Sequence, residues 1–281
     1  MELALNPIAF SFGPFHVRWY GIIIATGILL ATFMAIREGQ RRQIMSDDFI
    51  DLLLWGVPLG FIGARLYYVI FEWGYFSQHP SEIIAIWNGG IAVYGGLIAG
   101  AIVLLIFCFR RMLPPFLVLD IVAPGVMAAQ VLGRWGNFMN QEAHGAQCTL
   151  AYLQNQHLPQ FIIDQMYING HYYKPTFLYE SFFNLIGLVI ILALRHRKHL
   201  FKQGEVFMFY VAWYAVVRFF VEGMRTDSLY AFGTIRVSQA LSVVLLLADL
   251  ALFVYRRVKV KPKWYLDGSG LKYPYEREKG A

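Results

Sequence analysis

Seven long apolar stretches dominate the chain, at residues 17–36, 49–71, 89–109, 116–135, 176–195, 205–222 and 235–255. A helix crossing the hydrocarbon of a bilayer needs about 20 mostly apolar residues, and each stretch is close to that length. The pattern predicts an all-α polytopic membrane protein with seven transmembrane helices. The stretch 205–222 is the weakest of the seven, because Arg218 and Glu222 interrupt it. Between the fourth and fifth stretches, residues 139–175 have mixed polarity, several aromatics and an Asn169-Gly170 pair. Asn-Gly is a hairpin-turn signal. Unstructured connections of this length are uncommon in compact proteins, and the aromatic content argues against disorder. This segment is expected to form a small extracytoplasmic cap. The expected organisation is helices 1–4 over 1–138, the cap over 139–175, helices 5–7 over 176–256, and a tail over 257–281. From Pro262 the tail is polar, with Pro and Gly, and reads as a flexible cytoplasmic end.

Composition agrees with the pattern. Hydrophobic residues make up 58% of the chain and charged residues 15%, against about 45–50% and about 25% for soluble proteins. The basic residues alternate in position. Arg37, Arg41 and Arg42 follow the first stretch, Arg110 and Arg111 the third, and Arg195, Arg197, Lys198 and Lys202 the fifth. Arg256, Arg257, Lys259, Lys261 and Lys263 follow the seventh, whereas 72–88 has no basic residue and 139–175 only Lys174. The positive-inside rule places the N-terminus outside and the C-terminus in the cytoplasm. The net charge of +6 is thus a topology signal, and no nucleic-acid partner is expected. The N-terminus lacks the basic start of a cleavable signal, so the first stretch is expected to be retained. Cys108 and Cys148 fall about one membrane crossing apart, which argues against a disulfide. No zinc-type spacing of Cys and His is present, and no metal is expected.

The candidate chemistry lies between Gly133 and Gly145, GRWGNFMNQEAHG. An apolar run ending in so many hydrogen-bonding groups marks a functional site by default, because polar groups near hydrocarbon are costly. Arg134 lies 18 residues past the start of the fourth stretch, roughly 27 Å along a helix, near the outer interface. The same topology brings Tyr20, Arg65, Tyr94, Glu180, Arg218 and Glu222, with Asn88 and the glycines of GGIAVYGG, to the outer level. Tyr214, Arg218, Glu222 and Arg225 are spaced four, four and three, which makes one polar stripe on a helix. Surplus arginine at headgroup depth suits an anionic headgroup, since a guanidinium offers phosphate a planar fork of donors. Asn137 and Asn140 are candidates to orient substrate or the backbone around Arg134. Each residue also has a plainer reading. A single arginine can snorkel to the interface, Arg218 and Glu222 can form an ordinary ion pair, Arg65 can brace helices, and the glycines can serve close packing. Asp51 and Asp120 fall in the inner half, where capping or packing roles are expected. A lipid or anion transporter would need polar groups through both halves, and the absence of an internal repeat also counts against it. A scaffold leaves the arginine cluster without a purpose.

GRWGNFMNQEAHG resembles the signature of the bacterial prolipoprotein diacylglyceryl transferases. RWYG at 18–21, GARLYYV at 63–69, DIVAPG at 120–125, PTFLYES at 175–181 and RFFVEGMRTDS at 218–228 resemble further blocks of that family, in its order. The resemblance covers the whole chain apart from the tail. It implies transfer of diacylglycerol from phosphatidylglycerol to the lipobox cysteine of a prolipoprotein signal peptide, in the bacterial cytoplasmic membrane. Phosphatidylglycerol, the prolipoprotein and membrane lipids are then the partners, and no cofactor is implied. It implies catalytic roles for Arg134, Arg218, Glu222 and Glu142, and substrate binding by Arg134, Asn137, Gly145, Tyr20, Tyr214 and Arg225. Asn140, Tyr94 and Arg65 join the binding set from their positions. One departure stands out. Where many members carry His-Gly-Gly-Leu, with the histidine proposed as a general base, this chain has Tyr94-Gly95-Gly96-Leu97. A tyrosine of pKa about 10 is a poor base near neutrality. Glu142, Glu222 or His144 would then serve, or no side-chain base is needed. The nucleophile is the substrate's own thiol.

Overall fold

The computed structural model describes residues 5–13, 15–226, 230, 231 and 234–271, with the side chains of Asn88, Tyr230, Ala231 and Ile235 outside that description. The Asn88 side chain, Asp227 and Ser228 of the RFFVEGMRTDS block, and the end of the tail therefore lie outside the described residues. A hairpin of β1 (Ile8–Phe12) and β2 (Phe15–Arg18) leads into α1 (Trp19–Arg41). Helix α2 (Ser46–Phe71), the single turn α3 (Trp73–Phe76), α4 (Val93–Arg110) and α5 (Pro115–Met139) follow. Next come β3 (Gln147–Cys148), α6 (Leu150–Asn155), α7 (Gln160–Gln165), β4 (Tyr167–Ile168) and β5 (His171–Tyr173). The chain continues with α8 (Thr176–Leu194), α9 (Glu205–Met224), a short hairpin of β6 (Tyr230–Ala231) and β7 (Ile235–Arg236), and α10 (Val237–Tyr255). Seven of these helices are long and apolar enough to cross a membrane. They are the seven that the hydrophobic pattern predicts, with different ends. Helix α5 runs to Met139 rather than stopping near 135, so Arg134 and Asn137 are helical and one turn apart. The helix breaks only beyond Asn140, where Gln141 and Ala143 take φ of 54° and 57°.

The contact pattern divides the chain into two compact units, Met1–Met34 with Asp120–Leu266, and Ala35–Leu119 with Asp267–Ala281. In the first, α5 is the most enclosed of the seven long helices, with 50% of its apolar window buried against 11% for α1. Small residues let helices approach it. A Cβ on Gly125 would lie 2.8 Å from the Ala31 carbonyl oxygen, and one on Gly27 would lie 3.3 Å from Ala129 Cβ. On α8, Gly187 leaves room for Met127 of α5 and Trp213 of α9. Close approach at small residues is how helices gain packing where hydrocarbon removes any hydrophobic drive. Asp120 of α5 is fully buried and accepts hydrogen bonds from Gly204 N at 2.6 Å and Phe207 N at 2.8 Å. It supplies two orphan donors at the start of α9 with a carboxylate from another helix. This is the capping role expected of it.

The segment between α5 and α8 has its own apolar cluster of Phe138, Leu153, Ile162, Ile163, Met166 and Phe177. Its three-stranded antiparallel sheet has the order β3-β5-β4. Ile168 pairs with His171 across Asn169 and Gly170, whose φ values are 49° and 86°. Two successive positive φ angles are what the Asn-Gly signal foretells. The start of the tail differs from expectation. Lys202 forms a β-bridge with Trp264, Tyr265 N donates to Phe201 O at 2.9 Å, and the Tyr265 side chain is fully buried. Two aromatics anchor a stretch whose overall polarity suggested flexibility.

The second unit is built on α2 against α4. A methyl group on Gly63 would run into Ala99, and one on Gly95 into the Gly63 carbonyl, so the glycines of both helices are contact points. Asp51 pairs with Arg111 at 2.5 Å, a packing role for that carboxylate.

Candidate functional site

Three helices of the first unit contribute to one chain of charges. Arg134 of α5 reaches Glu180 of α8, with Nη2 2.7 Å from Oε1. The other oxygen of Glu180 lies 3.8 Å from Nη1 of Arg218 on α9. Arg218 Nη2 lies 2.6 Å from Glu222 Oε2, one turn further along the same helix. Positive and negative groups thus alternate, Arg134–Glu180–Arg218–Glu222. The glutamate side chains are 3% exposed, whereas those of Arg134 and Arg218 are 21% and 15% exposed. The carboxylates are therefore the inner groups of the chain, and both arginine side chains are partly exposed. Two fixed carboxylates orient both forks while leaving donors for an anion.

A second, amide network extends from Arg134 toward the loop after α5. Arg134 Nη1 donates to Asn137 Oδ1 at 3.3 Å. Asn137 Nδ2 and Asn140 Nδ2 donate to the same oxygen of Glu142, at 3.0 and 3.3 Å. Glu142 is exposed, unlike Glu180 and Glu222. Gly145 holds this loop against the end of α9. It forms a β-bridge with Arg225, and Gly145 N donates to Lys174 O at 2.9 Å. A Cβ there would lie 2.9 Å from Lys174 Cβ and 3.1 Å from the Met224 carbonyl oxygen. Thr176 Oγ1 donates to Ala143 O at 2.5 Å and fixes the same turn from α8. Arg236 donates to the Glu222 carbonyl, which ties β7 to the last turn of α9. The Tyr20 ring lies over Gly136, where a Cβ would come within 2.7 Å of it. Tyr214 is one turn before Arg218, its ring 6.4 Å from that of Tyr210. His144 packs its ring 4.2 Å from Tyr173 and has Nδ1 3.2 Å from Gly145 O, so it faces the small sheet.

Arg134, Asn137, Asn140, Glu142, Arg218 and Glu222 are thus joined through shared partners, with Gly145, Arg225 and Tyr20 packed around them. Glu180, expected at the outer level with Arg134 and Arg218, pairs with both although it lies outside the expected catalytic and binding sets. The signal was there, since an acid inside an apolar span needs a partner. Arg65 and Tyr94 belong to the second unit. Arg65 is buried, donating to the carbonyls of Ile83, Gly89, Gly90 and Glu82 at 2.6–2.8 Å. Gly89 and Gly90 have φ of 85° and 74°, and a Cβ on Gly90 would lie 2.6 Å from Arg65 Nη1. The guanidinium organises the connection between α3 and α4, beside a cavity of about 380 Å³ walled by Tyr68, Glu72, Tyr75 and Glu82. Tyr94 is in the first turn of α4, 39% exposed.

The family model for prolipoprotein diacylglyceryl transferase matches residues 7–255. The chain belongs to the prolipoprotein diacylglyceryl transferase family. Relatives named phosphatidylglycerol–prolipoprotein diacylglyceryl transferase match it nearly end to end. One from Lactobacillus delbrueckii subsp. bulgaricus is 88% identical over 277 residues, 99% of this chain and 100% of its own length. One from Lactobacillus johnsonii is 74% identical over 99% of this chain and 100% of its own. One from Lactiplantibacillus plantarum is 55% identical over 98% of each. As a member of this diacylglyceryl transferase family, the chain places the GRWGNFMNQEAHG block at the end of α5 and RFFVEGMR at the end of α9. The ion pairs through Glu180 link the two blocks.

Proposed function

We propose that this protein transfers the diacylglyceryl group of phosphatidylglycerol to a prolipoprotein cysteine, the first step of lipoprotein maturation, and that the Arg134–Glu180–Arg218–Glu222 chain grips the lipid phosphate. The carrying observation is the pair of buried glutamates that hold two partly exposed arginine side chains on different helices. The thiolate of the lipobox cysteine attacks the glyceryl carbon that bears the phosphate ester. A sulfur–carbon bond forms and the carbon–oxygen bond breaks. Its electron pair goes to the phosphate oxygen, and glycerol phosphate leaves. The reaction balances with the two substrates alone, so no cofactor enters the proposal. Charge grows on the departing phosphate, where donors already oriented by carboxylates stabilise the transition state without reorganising.

Glu142 takes the thiol proton. It is the accessible carboxylate of the site, and Glu180 and Glu222 are committed to arginines. Asn137 and Asn140 hold it and, with Arg134, orient the lipid headgroup, while Tyr20, Tyr214, Arg225 and Gly145 shape the surrounding wall. Arg65 braces its loop rather than touching lipid. Burial pushes up the thiol pKa of Cys148, in the small sheet, partly offset by Lys174. We place the protein in the bacterial cytoplasmic membrane, N-terminus outside, with phosphate grip and cap at the outer headgroup level. Lipid and signal-peptide helix enter sideways between helices. The test combines purified protein, labelled phosphatidylglycerol and a lipobox peptide. Release of glycerol phosphate with a matching mass gain on the peptide cysteine is expected. Neither product forming sinks the proposal.

A further inference from the structure

Asn184 lies about one helical turn beyond Glu180 on α8, a rise of about 6 Å along the axis. It is 1% exposed, and among the described residues neither its amide nitrogen nor its amide oxygen has a hydrogen-bond partner. Its neighbours on that face show what it points between. Ser181 Oγ donates to Val131 O of α5 at 3.0 Å, and Gly187 leaves room for Met127 of α5 and Trp213 of α9. Phe182, Phe183, Leu185 and Val189 are the exposed large apolar residues on this helix. Asn184 therefore sits at the junction of α5, α8 and α9, one turn from the charge chain. A buried amide without a partner is costly, and leucine would fill the same space at no such cost. Gln130 repeats the situation on α5, one turn before Arg134. Its Nε2 donates to Tyr210 Oη at 2.9 Å, while Oε1 is buried with no partner among the described residues. Two members of the charge chain thus each have a primary amide one turn deeper.

The chemistry of a diacyl phospholipid supplies the missing partner. Its first ester carbonyl hangs five bonds from the phosphorus, about one helical turn when extended. We infer that Asn184 donates a hydrogen bond to an ester carbonyl of the bound phosphatidylglycerol and so selects ester-linked over ether-linked lipid. This rests on the reading of Arg134 and Arg218 as phosphate ligands. A site built to hydrogen-bond a substrate group discriminates against an analogue that lacks it.

The test measures transfer by the full-length protein from dioleoyl phosphatidylglycerol and from its di-O-alkyl analogue, which has the same phosphate and no carbonyls. The wild type is expected to favour the ester lipid by about fivefold to tenfold in kcat/KM. In Asn184→Leu the ester-to-ether ratio should fall to about one, with the thermal unfolding temperature unchanged or raised. A wild type indifferent to the two lipids overturns the inference, as does a variant that loses both in parallel or keeps the wild-type ratio. Should the leucine variant not fold, Asn184→Ala reads the same ratio. Transfer of neither lipid by the wild type overturns the transferase reading itself, an outcome distinct from transfer without discrimination.

Discussion

Glu180 Oε1 lies 2.7 Å from Arg134 Nη2, and its other oxygen lies 3.8 Å from Arg218. One buried carboxylate on α8 thereby sets the separation of two guanidiniums on different helices. Replacing it with glutamine keeps the shape and removes the charge that both arginines face. Removing one partner of a buried pair costs about 3–5 kcal/mol, because the remaining charge is uncompensated. Glu180→Gln should lower the unfolding temperature and cut transfer by at least about a hundredfold. Thermal unfolding and the glycerol phosphate assay check both, and a variant that matches wild type in both removes Glu180 from the site.

Arg134→Ala should abolish turnover while the protein still folds. Arg218 remains within 3.8 Å of Glu180, so the carboxylate is not left alone. Loss of one oriented donor to the transition state costs about 10²–10³ in rate. Arg134→Lys should recover only a small part of it. A compact ammonium on a flexible stem cannot hold Glu180, Asn137 and a phosphate at once as the planar fork does. Equal activity for lysine and arginine would show that charge alone is needed.

Seven helices were legible because hydrocarbon imposes a length and a composition on each span. What escaped were relationships between residues distant in sequence. Glu180 could be seen as an acid in an apolar span, but only the packing of α8 against α5 and α9 names its partners. Tyr265 read as part of a polar tail, and its burial depends on pairing with the segment around Phe201 and Lys202. The hairpin at Asn169 and Gly170 was legible because its turn is encoded by adjacent residues, whereas the hairpin of β1 and β2 carried no comparable signal. Arg65 was open between bracing and binding. The carbonyls that Gly89 and Gly90 turn toward it favour bracing, and glycine spacing alone does not reveal that orientation.

Gly145→Ala tests the seam between the two arginine blocks. The added methyl group meets Lys174 Cβ at 2.9 Å and the Met224 carbonyl oxygen at 3.1 Å. Neither is the free end of a flexible side chain, so the turn must move away from α9. That shift carries Glu142 and the Arg225 backbone apart. A misplacement of about 1 Å costs on the order of 10²-fold in rate. Activity should therefore fall far more than stability. An alanine variant with wild-type kcat/KM would show that the seam does not position the site.

Cys148 should be slow to alkylate. Burial raises its thiol pKa, partly offset by Lys174, so less thiolate is present near neutrality than for an exposed cysteine. The sign follows directly: maleimide labelling should lag that of a free lipobox peptide at pH 7 and rise with pH beyond the ordinary thiol range near about 8.5. Mass spectrometry of the labelled chain reads the rate. Labelling as fast as the peptide at pH 7 would contradict the enclosed position of this thiol in the small sheet.

Glu142→Gln separates proton transfer from positioning. Glutamine can still accept a hydrogen bond from Asn137 or Asn140 through its carbonyl, so the loop should keep its geometry, but it cannot take a proton. General-base catalysis contributes about 10²–10⁴ in rate. The deficit should be largest below the thiol pKa of about 8.5. As pH rises toward that value the substrate cysteine ionises by itself, its thiolate fraction growing about tenfold per unit, and the variant should approach the wild type. A deficit that stays constant from pH 6 to 9 would assign Glu142 to orienting Asn137 and Asn140 instead.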